Sequence, residues 1–124
     1  MPILSAVNMP VNYTRMKATS TRLLTENGAA YPVKRKGTVT VTGGVEHREP
    51  DKSFTAIGVR TEYKPGEIDG TVIINGDTRI VFTADTELRT GDMVDVDGKW
   101  YRIEKPNPVK PGKMLLCYRA QLRA

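Results

Sequence analysis

Chemically reactive side chains are scarce in this chain. Its 124 residues include one cysteine, one histidine and one tryptophan. A lone Cys117 excludes an internal disulfide and fits a reducing compartment. With no second cysteine and no neighbouring histidine, it reads as a small, half-buried strand residue rather than a nucleophile or metal ligand. His47 lies in the charged stretch "GGVEHREPDKSF" and is expected to be solvated rather than to act as a base. No zinc spacing, phosphate-binding glycine loop or Ser/His/Asp set occurs. Asp92, Asp95 and Asp97 crowd one short stretch but lack the order of a calcium loop. They read as turn and edge residues that discourage strand-to-strand aggregation. These scarcities argue against an enzyme and nominate no catalytic residue, no metal ligand and no cofactor.

Long apolar runs are also missing. None approaches the roughly 18 residues a membrane-spanning helix needs. The start, Met1-Pro2-Ile3-Leu4-Ser5-Ala6-Val7, is apolar but lacks the basic opening of a signal peptide. The expectation is a soluble cytosolic protein. The length permits one compact domain over residues 1–124 and not two.

Acidic residues are absent from residues 107–124, which hold four Lys/Arg. Residues 1–50 hold seven basic residues against three acidic, and residues 51–106 hold eight against eleven. The ends are basic and the middle is acidic. A solvated, unevenly charged surface explains this; so does a body that stacks on a copy of itself or on a charged partner.

What is present is turn chemistry and alternation. Glycine and proline, 11 and 8 residues, are spread along the chain. Residues 1–11 read as an extended arm broken by Pro2 and Pro10. Residues 12–28 contain the one helix. Tyr13, Met16, Ser20, Leu23, Leu24 and Asn27 form its weak apolar stripe, Asn12 its N-cap and Gly28 a left-handed C-terminal cap. From residue 31 onward the texture is β. "TVTVT" is a strand signal, and residues 43–56 read as one long exposed loop. In "IGVRTEY", Ile57, Val59, Thr61 and Tyr63 are expected on one face. Asn75-Gly76 predicts a hairpin with Thr71, Ile73, Ile80, Phe82 and Ala84 on one side. Asp97-Gly98 predicts a second, with Val94, Val96, Tyr101 and Ile103 facing the core. A last strand points Met114, Leu116, Tyr118, Ala120 and Leu122 inward. The fold class is mainly β: a small barrel or sandwich of six or seven strands with an N-terminal helix and one long loop.

Basic stretches such as "VKRKG" permit nonspecific contact with a phosphate backbone, but they are not interleaved with exposed aromatics as in single-strand binders. Trp100 is placed outward between Met93, Arg102 and Glu104. It is either a cap over the core edge or an interface anchor, since Trp and Arg dominate interface hot spots. Arg119 and Arg123 on the last strand join Trp100, Met93 and Arg102 as interface candidates.

The order of these signals resembles the small neck proteins of tailed bacteriophages, the head-tail joining or head-closure (stopper) family. The likeness spans about residues 12–124. It rests on the helix with "RLLTENG", on "VRTEYKPGEIDGTVIINGDTRIVFTA" and on "TGDMVDVDGKWYRIEKPNPVKPGKMLLCYRAQLR". The last is the most specific. A Gly-Asp-x-Val strand and a Gly-x-x-Tyr-x-Ile strand precede a Pro/Gly connection and a strand ending in Gln-Leu-Arg. The resemblance implies a small β-barrel assembled in the host cytoplasm into a homo-oligomeric ring of the virion neck. Its neighbours would be a portal or adaptor protein on the head side and a tail terminator or tail tube protein on the tail side. It also implies nonspecific contact with packaged double-stranded DNA, and no membrane. The family's barrel carries a long loop that can project into the channel. Segment 43–56 corresponds, which makes Arg48, Lys52 and His47 DNA-facing candidates. Residues 1–11 do not match, so the neck layer stays open. Residues 1–11 and 43–56 are expected to be mobile in the free chain and ordered on assembly. The alternatives are a stand-alone nucleic-acid-binding barrel and a tail-tube or tail-completion component.

Overall fold

A computed structural model describes residues 11–124. The expectations for residues 1–10 lie outside the described residues. Helix α1 spans Tyr13–Asn27, and the strands are β1 (Ala29–Arg35), β2 (Val39–Thr42), β3 (Val45–Arg48), β4 (Lys52–Glu62), β5 (Thr78–Thr83), β6 (Met93–Val96), β7 (Lys99–Lys105), β8 (Pro108–Val109) and β9 (Cys117–Arg123). A 3-10 turn, Pro65–Glu67, follows β4.

Seven strands form one antiparallel sheet in the order β5-β4-β1-β6-β7-β9-β8, and β5 also pairs with β9. That second pairing closes six strands into a barrel, with β8 added along the β9 edge where β7 leaves off. The fold is mainly β with an N-terminal helix, as the turn signals and alternation imply. Closure gives every core strand two partners, so the inward side chains meet at the barrel axis. Ile80, Phe82, Val94, Ile103, Ala120 and Leu122 are wholly buried there. Tyr31 meets Phe82 edge to face at 6.1 Å between ring centroids.

The β6–β7 hairpin follows its sequence. Val96 pairs with Lys99 around Asp97-Gly98, whose φ values of 54° and 84° make the mirror-image turn that right-twisted strands accept. The Asp95 side chain accepts from the Gly98 N–H at 2.9 Å and fixes that turn. Val94, Val96 and Ile103 are buried and Tyr101 is half-buried against the core.

Three expectations are corrected, and the inner face of β4 is assigned. The run before Asn75-Gly76 is not a strand. A turn does form, with the Asp77 N–H donating to the Ile74 carbonyl at 3.1 Å. Residues 71–73, however, wrap around Asp69, whose Oδ1 accepts from the N–H groups of Thr71, Val72 and Ile73. Both edges of β5 are already taken by β4 and β9, so no hairpin partner can join it. In β4, Ile57, Val59 and Thr61 share one face as the alternation implies, and that face is the outer one. Ala56 and Gly58 are buried, while Ile57 and Val59 are half-buried on the outer surface, against which α1 packs. Gly58 occupies the inward parity because a Cβ there would lie within 2.7–2.9 Å of Val81 and the side chains of Ile80 and Phe82.

Segment 43–56 is not a loop. Gly43 and Gly44 make a two-residue turn, residues 45–48 form β3 and β4 begins at Lys52. Charge does not prevent a strand from forming when both of its faces meet water. Gly28 is not a left-handed cap either; its φ is −107°. A Cβ there would lie 2.3 Å from the Gly58 carbonyl oxygen and 2.4 Å from that of Leu24. Glycine at 28 thus seats the helix on the barrel wall. Asn12 is the N-cap, its side chain accepting from the Arg15 N–H at 3.0 Å. The stripe divides: Tyr13, Ser20 and Leu24 are half-buried, but Met16 and Leu23 stay exposed on the helix flank.

Candidate functional site

The β2–β3 ribbon stands apart from the barrel sheet. All eight of its strand residues are exposed, including Val39, Val41 and Val45 at 47%, 70% and 57%. The register pairs Val39 with Arg48, Thr40 with His47, Val41 with Glu46 and Thr42 with Val45. One face therefore carries Val39, Val41, Glu46 and Arg48. The other carries Thr40, Thr42, Val45 and His47. Each face is nearly neutral and partly apolar. The three DNA-facing candidates do not converge: His47 and Arg48 lie on opposite faces, and Lys52 lies at the ribbon's root.

That root is held tightly. The Glu49 N–H donates to the Thr38 carbonyl at 3.0 Å, and the Gly37 N–H to Asp51 Oδ1 at 2.9 Å. A Cβ on Gly37 would strike the Glu49 carbonyl at 1.8 Å, so the two chains pass closer there than any side chain allows.

Beside the root, one end of the barrel is plugged by an ion pair that sequence reading missed. Asp92 is buried, and its carboxylate accepts from Arg35 Nε at 3.0 Å, Arg35 Nη2 at 2.8 Å and the Arg89 N–H at 2.9 Å. Arg35 Nη2 also donates to the Glu87 carbonyl, and its guanidinium lies 5.0 Å from the Phe54 ring. The Asp92 hydrogen bonds raise the Arg35 pKa above its ordinary value. The partners are 57 residues apart in sequence, so no local spacing announces them. A cleft of about 300 Å³ opens over this pair, lined by Arg35, Lys36, Thr38, Lys52, Arg89 and Thr90 among others.

The opposite end is closed by a second buried aspartate. Asp77 accepts from Arg123 Nε and Nη2, both at 2.9 Å, from Gln121 Nε2 at 2.9 Å and from the Ile74 N–H at 3.1 Å. The Arg123 hydrogen bonds hold the Asp77 carboxyl below the usual carboxylate range. Arg123 also reaches the Val72 carbonyl and, at 3.8 Å, Glu104. Arg123 was an interface candidate; the structure gives its guanidinium an internal role, with its side chain 30% exposed.

The remaining candidates spread over the outer wall. Trp100 is 36% exposed, with Lys34 Nζ 4.7 Å above its ring. It edges a groove with Pro32, Ser53 and Thr55. Met93 is half-buried in the neighbouring β6. Arg102 is exposed and donates to both oxygens of Glu104. Arg119 is exposed on β9, the strand next to Trp100's β7, but lies beyond their paired stretch, in which Arg102 meets Arg123 and Lys105 meets Gln121. Cys117 is half-buried, and burial pushes its thiol pKa up. Among the described residues, no three His, Cys, Asp or Glu side chains gather as a metal set would require. No described helix is long and apolar enough to cross a membrane. Comparison with family profiles, with curated proteins and with solved structures gave no match.

Proposed function

We propose that this chain is a structural subunit of the neck of a tailed bacteriophage. In this reading it forms a homo-oligomeric ring that joins the DNA-filled head to the tail and helps retain DNA. The ring sits between a portal or adaptor protein and a tail terminator or tail tube protein. The observation that carries the reading is the β2–β3 ribbon, whose strand residues are all exposed among the described residues. An isolated two-stranded hairpin is marginal in water. Exposed valines at 39, 41 and 45 on a projecting, nearly neutral ribbon fit coverage by a neighbouring protein surface. The exposed Met16 and Leu23 on α1, and Trp100 on the wall, offer further contact faces around the same barrel.

The test is removal of the gene from its phage. DNA-filled heads without tails are expected by electron microscopy, and normal tailed particles would sink the reading. Hydrogen exchange gives a second check. Ribbon amides of residues 39–48 exchange quickly in the free subunit and slowly in the assembled ring. Equal protection in both states removes the ribbon from the interface.

A further inference from the structure

We propose that the cleft at the ribbon's root is a binding site for a phosphate group. Its centre is Arg35, a guanidinium already locked in place. Two of its nitrogens are committed to Asp92 and the Glu87 carbonyl, while Nη1 has no partner among the described residues. Arginine held from behind by a buried carboxylate keeps its remaining donors fixed in one plane, which suits the paired oxygens of a phosphate. Around it stand Lys36 and Lys52, neither in an ion pair among the described residues, and Arg89, which bonds Glu87. Thr38 and Thr90 line the same space. Among the described residues of the lining, Glu49 is the only acid without an ion-pair partner, since Asp92 is neutralised by Arg35. Lys36 and Lys52 outnumber Glu49, and this surplus of positive charge favours an oxyanion. A cleft of about 300 Å³ admits one such group and its first attached atoms. The ribbon itself is nearly neutral, so the cations are concentrated at its base rather than along it.

A phosphodiester of a nucleic-acid backbone and a free phosphate present the same chemistry. The assignment rests on the cleft's own side chains, whereas the neck reading concerns assembly; either fails without the other.

The experiment titrates inorganic phosphate, a short DNA duplex and acetate into the full chain, and follows backbone amide resonances by NMR. Phosphate, duplex or both are expected to shift residues 36–38 and 89–92. Phosphate alone identifies the free group, and duplex alone identifies a backbone phosphodiester. A Lys36→Ala/Lys52→Ala variant, both sites being exposed, should keep its fold by circular dichroism and bind the active probe at least about tenfold more weakly. With the duplex, its plot of log affinity against log salt should be shallower by about 2. A Lys99→Ala/Lys110→Ala variant removes equal charge elsewhere and should change the cleft shifts little. Absence of shifts at 36–38 and 89–92 with both probes overturns the proposal. So do equal shifts with acetate, or equal weakening in the control variant.

Discussion

The β2–β3 ribbon and the β6–β7 hairpin share a turn: φ values of 59° and 77° at Gly43 and Gly44, and of 54° and 84° at Asp97 and Gly98. Both alternate valine with polar residues. Yet β6 buries Val94 and Val96 completely, and the ribbon buries none of Val39, Val41 and Val45. The difference lies outside the hairpins. Residues of β6 pair with β1 at Val33 and Lys34, and β7 pairs with β9, so one face of that hairpin is folded into the barrel. Among the described residues the ribbon has no third strand. Alternation and turn residues specify a hairpin; only further pairing specifies which face, if either, becomes interior. In the proposed assembly, the exposed valines of the ribbon supply surface for another molecule.

The roots of the two hairpins differ most, and variants there should separate them most sharply. Asp92→Ala, at the entry to β6, leaves the Arg35 guanidinium without its buried partner. It should cost about 3–5 kcal/mol in urea unfolding. Asp51→Ala, at the exit of the ribbon, removes one exposed hydrogen bond to the Gly37 N–H and should cost under about 1 kcal/mol. Similar losses at both would erase the contrast.

Next come the hairpin cores. Ile103→Ala opens a cavity in the barrel and should cost roughly 2–5 kcal/mol. Val41→Ala on the ribbon should stay within about 0.5 kcal/mol of the parent in the free subunit. A destabilising Val41→Ala would mean that the ribbon packs on its own chain.

Acid should reveal a third difference. Glu104 of β7 is tied through Arg123 to Asp77, and no such chain holds the ribbon. Asp77's folded pKa is depressed, chiefly by the Arg123 hydrogen bonds. Its contribution is therefore present above the unfolded carboxyl pKa, about 3.9, and is lost as pH falls through the folded value. Thermal melts of the parent should fall across that acid window, and Asp77→Asn should flatten this dependence. An unchanged pH profile would remove Asp77 from the linkage.

Smaller effects concern surfaces. Trp100→Ala should leave the fold intact, at a cost of roughly 1 kcal/mol from the lost Lys34 contact, while weakening ring formation in sedimentation. Collapse of the fold would make Trp100 a core cap instead. The smallest effect on stability should come from replacing residues 38–49 with a short Gly-Ser link. The melt should barely move, because nothing buried is removed, but assembly should fail.

The legible parts of this chain were those whose causes are local. Asn12 caps a helix through a donor three residues on, and Asp97-Gly98 closes a hairpin through its own backbone angles. The inward set Val94, Val96, Ile103, Ala120 and Leu122 follows from alternation alone. The illegible parts depend on distant partners. Arg35 and Asp92 look like ordinary surface charges until the barrel brings β1 and the start of β6 together. Asn75-Gly76 makes its turn, but a hairpin also requires a vacant edge on β5, which closure denies. Ile57 and Val59 point outward because α1 covers that wall and Gly58 must sit beneath Ile80 and Phe82. Lys52 was nominated among loop cations for DNA; its place in the cleft beside Arg35 comes from the register of β4 on β1.

Joining β5 to β9 has a bearing on how such subunits behave when abundant. A sheet whose strands close on themselves leaves little free edge along its wall for a second copy to extend. Accretion by edge-to-edge polymerisation is thereby reduced at the wall, while the slender β2–β3 ribbon keeps two open edges among the described residues. In the proposed assembly, a crowded pool of newly made chains would thus stay dispersed until a docking template selects the ribbon.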